Sequence, residues 1–401
     1  MIRPEDAWSR IEPFARPLDA EPAPLRLALG RRLASPLVAT TDLPSLDVSA
    51  LDGFALTGAT EAGTSLAVAF TVRAGDAEVR TLSAGQAAAI MTGAPLPLNA
   101  DRVVGIEATE VDGERVRLLA SPAAGAAVRR SGEVVRAGAT LLPAGALLRP
   151  AALSLLASQG IDDLRLIRRP RVALLATGDE VVSAGLSPGR GQVRDSHTAY
   201  LESACRRERS EPLAFGIAPD REAELRQRLV AAGERTDLIL VCGGVSRGEF
   251  DLVEPVATAL GYRFLFDAVA IQPGKPLAVA AREGRLLFGL PGNPASAMVT
   301  FELFVAPFLR RLAGDPTAAF WSTAILAELE GPAPPARDRD RFLPATLRRR
   351  NGRPIVRAIG HQGSHDLAAF AQAEGLLRVP GGSAAAPSLG DPLEVLPLDP
   401  G

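Results

Sequence analysis

Residues 171–180 read Arg-Val-Ala-Leu-Leu-Ala-Thr-Gly-Asp-Glu: a continuous apolar run closed by a glycine turn and two acids. A strand with one wet face alternates polar and apolar residues, whereas a continuous run marks a strand covered on both faces, as in a parallel sheet. Leu238-Ile-Leu-Val-Cys-Gly-Gly244 and Leu286-Leu-Phe-Gly-Leu-Pro-Gly-Asn-Pro294 repeat the pattern. Working outward from these runs, the region reads as strand 171–177, helix 197–209, strand 212–218, helix 221–232, strand 237–242, helix 252–260, strand 285–290 and helix 295–312. That alternation predicts a three-layer α/β/α domain over 169–315 with a mostly parallel sheet, interrupted by a hairpin at about 264–283.

Upstream the texture changes. Short β-branched or alternating runs at 53–57, 66–73, 86–91, 101–107 and 115–120, punctuated by Gly, Pro, Asn and Asp, predict an inserted β-rich domain over 41–135. The flanks, 1–40 plus 136–168, predict a small helical or elongated linker domain, with helices at 4–15 and 150–160. Pro4 and Pro150 suit first-turn positions there, and Gly160 is a stop signal. Downstream, 316–401 carries short strands and an Asn351-Gly352 hairpin signal, as in a barrel-like β domain. A chain of 401 residues exceeds what one hydrophobic core organises, so a multidomain α/β and β protein is expected.

Composition narrows the function. A formal charge of −2 offers no footprint for nucleic acid, so any anion site must be local. No uncharged stretch reaches the roughly 18 residues of a membrane span, and the first residues lack a targeting pattern, so no membrane partner and a cytoplasmic location are expected. Cys205 and Cys242 share no metal-binding spacing and read as buried, reduced thiols. His197, His361 and His365 lack ligand spacing and read as surface or structural residues. Of 44 basic residues a single one is lysine, Lys275, held within Pro273-Gly274-Lys275-Pro276. In a chain that otherwise uses arginine, that exception points to a site needing a compact ammonium rather than a planar fork.

In open α/β sheets, ligands collect where strand carboxyl ends lead into helices. Four loops hold that position: 177–180, 218–220, 243–251 and 291–294. Gly243, Gly244 and Gly248 would let backbone amides approach an anion, although the loop matches neither a Walker A pattern nor GxGxxG. Asn293 reads as a helix cap with Pro294 in the first helical position, and Asp220 and Asp251 read equally as caps. Glu180, Asp220 and Asp251 nevertheless all fall at strand carboxyl ends of one sheet, which suits a hard cation shared with substrate phosphates.

Nine segments then carry a resemblance over essentially the whole chain. They are Asp47-Val-Ser-Ala-Leu-Asp-Gly-Phe-Ala55, Ile90-Met-Thr-Gly-Ala-Pro95, Val128-Arg-Arg-Ser-Gly-Glu133, Thr177-Gly-Asp-Glu180, Gly191-Gln-Val-Arg-Asp195, Gly243-Gly-Val-Ser246 through Asp251, Ile271-Gln-Pro-Gly-Lys-Pro276, Leu290-Pro-Gly-Asn-Pro294 and Gly360-His-Gln-Gly-Ser364. In this order the chain resembles the molybdopterin molybdenumtransferases, the bacterial MoeA proteins and the E domain of gephyrin. Related adenylyltransferases and competence-damage-type proteins share only the 171–312 domain, and the flanking motifs decide against them.

The resemblance implies a homodimer whose cleft forms between the α/β domain of one subunit and the inserted and C-terminal domains of the other. It implies insertion of molybdate into adenylylated molybdopterin with release of AMP, and a magnesium ion. Carried over motif by motif, it assigns pterin-nucleotide and metal chemistry to Asp52, Thr92, Glu180, Asp220 and Asp251, with Glu180, Asp220 and Asp251 as the metal ligands. Gly243, Gly244, Ser246, Lys275, Pro276, Asn293, Ser296 and Ser364 bind substrate; of these Lys275, Ser296 and Ser364 help hold the oxyanion. A molybdopterin adenylyltransferase and apo-molybdoenzymes are its expected partners.

The chain departs from the family at several positions. Val134 stands where an acid is common, Pro344 where relatives have an arginine, His197 where Asn is frequent, and Ala268 and Gln272 where some relatives carry lysines. Arg341, Arg348 and Arg130 are candidates to replace the lost guanidinium. These departures keep two alternatives open: a molybdopterin-binding carrier without insertion chemistry, and a paralogue that handles tungstate.

Overall fold

The computed structural model describes residues 1–244, 252–332, 335, 337–382 and 386–398. The chain divides into two compact units, one of Pro24–Arg26 and Ser35–Leu164, the other of Met1–Ala23, Leu27–Ala34 and Arg165–Gly401.

The smaller unit is built on a six-stranded sheet in the order Arg102–Gly105, Gly53–Leu56, Gln86–Ile90, Ser65–Val72, Arg115–Leu118 and Thr109–Asp112. All five anticipated runs are there. Thr109–Asp112 escaped notice because it lies on the exposed edge and has no apolar face for a pattern to reveal. Gly53, from the first quoted family motif, is required: a Cβ there would lie 1.9 Å from the Val104 carbonyl oxygen. Outside the sheet, the ribbon of Leu37–Val38 with Thr140–Leu142 is extended, and the anticipated helical character here is confined to Pro150–Ser158.

The larger unit holds the α/β sheet, ordered Glu211–Ala218, Arg171–Thr177, Leu238–Cys242, Arg285–Leu290, Ala278–Arg282, Arg263–Phe266. The first four strands are parallel and the last two antiparallel. Its strands are apolar on both faces for the expected reason. Val172, Leu174, Leu238, Leu240 and Phe288 pack with the helices His197–Arg207 and Pro294–Thr300, while Ala173, Leu175, Ile239, Val241 and Leu287 pack with Glu222–Arg235 and Val253–Ala259. The N-terminal helix Pro4–Ile11 adds Ala7, Trp8 and Ile11 to the first of these cores, and a 3-10 turn, Glu12–Phe14, completes the stretch expected to be helical throughout. Cys205 and Cys242 are free and buried, and burial pushes the Cys205 thiol up to about 12.

The segment expected to be one hairpin at 264–283 does more than that. Arg263–Phe266 and Ala278–Arg282 extend the α/β sheet, and between them Ile271–Gln272 leaves it to pair in parallel with Asp340–Arg341 of the C-terminal domain. That domain is a closed five-stranded barrel: Asp340–Arg350, Arg353–Ala358, Ile325–Leu329, Pro392–Pro397 and Gly375–Val379, which returns to the first strand. Alternate inward residues such as Leu343, Ala345, Val356, Leu377 and Val395 fill it. Pro344 sits within its longest strand, at the point just before pairing with Arg353–Ala358 begins at Ala345, and its carbonyl accepts from the Ile359 amide.

The expected helix 295–312 is continuous but contains a π turn, Phe301–Val305, between Pro294–Thr300 and Ala306–Leu312. The turn buries Glu302, whose carboxylate accepts from the Tyr200 hydroxyl at 2.7 Å and pairs with Arg207 at 2.7 Å. Burial outweighs these partners and raises the Glu302 carboxyl above its usual range. Among the described residues no helix is long and apolar enough to cross a membrane.

At the opposite end of the sheet, Asp237 ties two strand starts together. It meets Arg168 through two contacts of 2.6 Å and accepts from the Arg171 amide at 2.9 Å. Burial pushes the Asp237 carboxyl up, but these donors outweigh it and hold it below the usual carboxylate range. A depressed folded-state value stabilises the fold above the ordinary carboxylate pKa and is lost as pH falls through the folded value. Asp237→Asn should therefore lose about 2–3 kcal/mol at neutral pH, since it breaks a largely buried pair. In urea unfolding, the gap from the parent should close below roughly pH 4; a gap constant with pH would show that the charge is not what matters.

Candidate functional site

The barrel pairing places the Lys275 loop beside the start of the helix at Pro294. Between them opens a cleft of 610 Å³ within the larger unit. Its wall combines Lys275, Pro276, Asn293, Ser296 and Ser364 with Arg339, Arg341 and His361. Five residues assigned separately along the sequence thus come together.

The backbone explains why. Gly274 takes a φ of +107°, and a Cβ there would lie 2.8 Å from Thr300 Cγ2 and 2.9 Å from Ile271 Cδ1, so only glycine lets the Lys275 turn seat against the helix. The Lys275 carbonyl accepts from the Val269 amide at 3.0 Å. Ser364 is fixed by its own carbonyl, which accepts from the Ala295 amide at 3.1 Å, tying the barrel loop to the first turn of the helix. Ser296, one residue on, is 4% exposed. Asn293 occupies the cap position, as expected, but its side chain makes no capping hydrogen bond.

Among the described residues no acid lines this cleft, whereas three of its wall residues are cations. Arg341 is 8% exposed; one terminal nitrogen donates to the Pro335 carbonyl at 2.9 Å, and its Nε is buried without a partner among the described residues. Burial, and then the neighbouring Arg337, lower its pKa. A buried guanidinium with spare donors is costly unless an anion meets it. Of the three arginines considered as replacements at position 344, Arg341 alone faces the cleft. Arg130 is ion-paired with Asp47, and Arg348 is exposed farther along the barrel strand. His361, read from sequence as a surface or structural residue, lines the cleft while packing edge-on against Phe370; its place in the Gly360–Ser364 motif was the available signal.

The strand carboxyl ends form a second cluster. The amides of Asp179 and Asp220 each donate to the other's carboxylate, at 3.4 and 3.2 Å. Asp220 is not the cap of its helix, which begins at Glu222 behind Arg221, because its position is taken up by this exchange. The Glu180 carboxylate lies over Gly178, within 2.5 Å of where a Cβ would stand. Gly243 and Gly244 are against Thr177, and the Pro291–Gly292 turn approaches Gly243 closely. Ser246 and Asp251 lie outside the described residues. Among the described residues no three His, Cys, Asp or Glu side chains are grouped to hold a metal ion.

In the smaller unit, Asp52 accepts from both the amide and the hydroxyl of Thr92, at 2.6 and 2.8 Å. Those two donors hold the Asp52 carboxyl below its usual range although it is open to solvent. Asp47 and Glu133, from neighbouring motifs, are committed to the local turn through Ser131 and Arg130. Val134 is 66% exposed, so an apolar residue there serves no core.

Comparison with known proteins agrees with this layout. Residues 2–160 match the MoeA N-terminal region (domain I and II), 173–311 a probable molybdopterin binding domain, and 327–398 the MoeA C-terminal region (domain IV). The chain is 37% identical to molybdopterin molybdenumtransferase 2 of Mycobacterium tuberculosis over 89% of its length and 90% of that protein's. It is 31% identical to molybdopterin molybdenumtransferase of Bacillus subtilis over 94% and 90%. The crystal structure of a molybdopterin biosynthesis MoeA protein from Pyrococcus horikoshii superposes with a TM-score of 0.84 at 25% identity, covering 99% of this chain and 100% of that one.

The convergence of the strand ends rests on Gly243, which has a φ of +90° and would place a Cβ 2.9 Å from both the carbonyl and the hydroxyl oxygen of Thr177. Gly243→Ala should cost about 1–2 kcal/mol from the left-handed backbone alone. In a thermal melt that corresponds to a fall of roughly 3–6 °C. An unchanged melting temperature would mean that this approach is not as tight as described.

Proposed function

The chain belongs to the molybdopterin molybdenumtransferase family, and on that premise we propose that it inserts molybdate into adenylylated molybdopterin, releasing AMP and completing the molybdenum cofactor. The observation that carries this reading is the cleft that gathers Lys275, Arg339, Arg341 and the hydroxyls of Ser296 and Ser364 with no acid among its described lining residues. A tetrahedral oxyanion needs donors from several directions and no competing negative charge, and preorganised donors of this kind stabilise charge that develops as the nucleotide departs. Lys275 supplies a point charge on a stiff turn, and Arg341 supplies the guanidinium that Pro344 cannot.

The carboxylates act elsewhere. Glu180 and Asp220 are exposed, hard oxygen donors at strand ends beside the backbone of Gly243 and Gly244, a donor set that fits magnesium shared with substrate phosphates. When bound, that ion would neutralise charge on the phosphoanhydride. Asp251 and Ser246 are assigned to the same metal and nucleotide site by motif. Asp52, kept ionised and oriented by Thr92, is assigned to the pterin nucleotide. The working assembly is a cytoplasmic homodimer, supplied by a molybdopterin adenylyltransferase and delivering to apo-molybdoenzymes.

The test incubates the purified protein with adenylylated molybdopterin, magnesium and molybdate, and follows AMP release together with reconstitution of an apo-molybdoenzyme. Pterin binding without AMP release would replace this reading with that of a carrier; tungstate run in parallel addresses the choice of metal. Lys275→Arg keeps the charge but exchanges an ammonium for a larger fork. Because Lys275 is exposed, its melting temperature should stay within about 2 °C of the parent's. The apparent affinity for molybdate should fall about tenfold, equivalent to ~1.4 kcal/mol. Equal molybdate use by the variant would make the solitary lysine an accident of composition.

A further inference from the structure

We propose that Asp340 is a positioning residue for the oxyanion cleft: clamped by Arg378 on the face of its strand turned away from the cleft, it holds Arg339 and Arg341 in the cleft wall. Side chains alternate along a strand, and Arg339, Arg341 and Leu343 line the cleft, so Asp340 and Phe342 face the other way. Arg378 is paired opposite Phe342 on the neighbouring strand and shares that face, diagonal to Asp340. Its Nε and Nη2 both donate to Asp340 Oδ2, at 2.9 and 2.6 Å. The other carboxylate oxygen, Oδ1, accepts from the Gly381 amide at 2.8 Å. Asp340 borders a second cavity, of 350 Å³, together with Glu5 and Arg378; Arg339, at the entry to the strand, borders both.

The clamp acts on the stretch that carries the cleft cations. The Gly382 amide donates to the Arg337 carbonyl at 2.8 Å, and a Cβ on Gly381 would lie 2.4 Å from the Arg339 carbonyl carbon, so the turn at 381–382 lies directly across the Arg339–Asp340 peptide. On the cleft side the same stretch is held lightly: Arg339 Nη1 donates to the Ile271 carbonyl at 3.3 Å, and Arg341 has the Pro335 carbonyl. With Lys275 these are like charges gathered where the described lining has no acid, and their repulsion would be relieved if the segment swung away. Asp340 ties it down from behind, without putting into the cleft a carboxylate that would compete with the anion. Arg378 is itself fixed, since it meets Glu5 of the N-terminal helix at 2.7 Å and lies over the rings of Phe320 and Trp321 at 5.8 and 5.9 Å.

This inference rests on the molybdate reading of the cleft, and the experiment separates the two. Asp340→Asn keeps an oxygen for the Gly381 amide but turns an NH2 group toward the Arg378 donors. Glu5→Gln removes a carboxylate from the same guanidinium without touching the strand, and serves as the control. Amide exchange over residues 337–343 and the kinetics with molybdate are measured for the parent and both variants. Loss of the clamp predicts that Asp340→Asn exchanges about fivefold faster in this segment and raises KM for molybdate about fivefold with kcat unchanged. Glu5→Gln should match the parent in both. Unchanged exchange or an unchanged KM in Asp340→Asn overturns the proposal, as does an equal change in Glu5→Gln, which would make Arg378 a plain stability link. If Asp340→Asn cannot be purified, Arg378→Lys, which keeps the charge but loses the fork, is read in its place against the same outcomes, and failure of both to fold overturns the proposal as well. Should the parent itself not turn over with molybdate, the functional reading falls while the exchange data still decide whether Asp340 holds the strand.

Discussion

Two backbone pairings, Ile271 with Asp340 and Gln272 with Arg341, join a barrel strand to a segment that the α/β sheet extrudes between two of its own strands. Everything in the cleft inherits its place from them. They bring Arg339 and Arg341 to one side and the Lys275 turn to the other, and the Ser364 carbonyl on the Ala295 amide closes the third side. Backbone pairing is a stiff and directional way to do this. A one-residue slip would turn Arg341 to the opposite face of its strand and exchange it for its neighbours.

Charge is sorted along this frame. The carboxylates of Asp179, Glu180 and Asp220 gather at the strand ends, while the described lining of the cleft beside the helix start offers cations and hydroxyls and no acid. In a chain with nearly balanced charge, that separation has to be local, and it creates two environments suited to opposite ligands. The resulting desolvation of Arg341 is a cost carried by the rest of the fold, whose large two-faced core supplies the stability to bear it.

Much of this was legible in the sequence, for physical reasons that can be named. Strands covered on both faces leave continuous apolar runs, so the parallel sheet was readable from Arg171–Thr177, Leu238–Cys242 and Arg285–Leu290. The solitary lysine and the motif serines were legible as residue types, and folding brought Lys275, Ser296 and Ser364 to one wall. What could not be read depends on partners distant in sequence. The segment around Ile271 pairs with residue 340, and no local pattern records that. Asp220 looked like a cap because capping is a local rule, yet it is engaged by Asp179 across two loops. His361 carried no ligand spacing, and its place on the cleft comes from the barrel loop that holds Ser364. The π turn at Phe301–Val305 leaves the helical periodicity almost intact, so only the burial of Glu302 betrays it.

The burial of both cysteines has a chemical consequence. The proposed substrate presents a dithiolene, a pair of soft sulfur donors, to a metal that binds sulfur avidly. A protein thiolate near the cleft would compete for that metal. Cys242 ends the strand that leads directly into Gly243, yet its sulfur is turned into the apolar core and its pKa is driven upward, as is that of Cys205. At neutral pH neither presents a thiolate. The finished cofactor thereby meets neither cysteine as a thiolate to which it could remain attached.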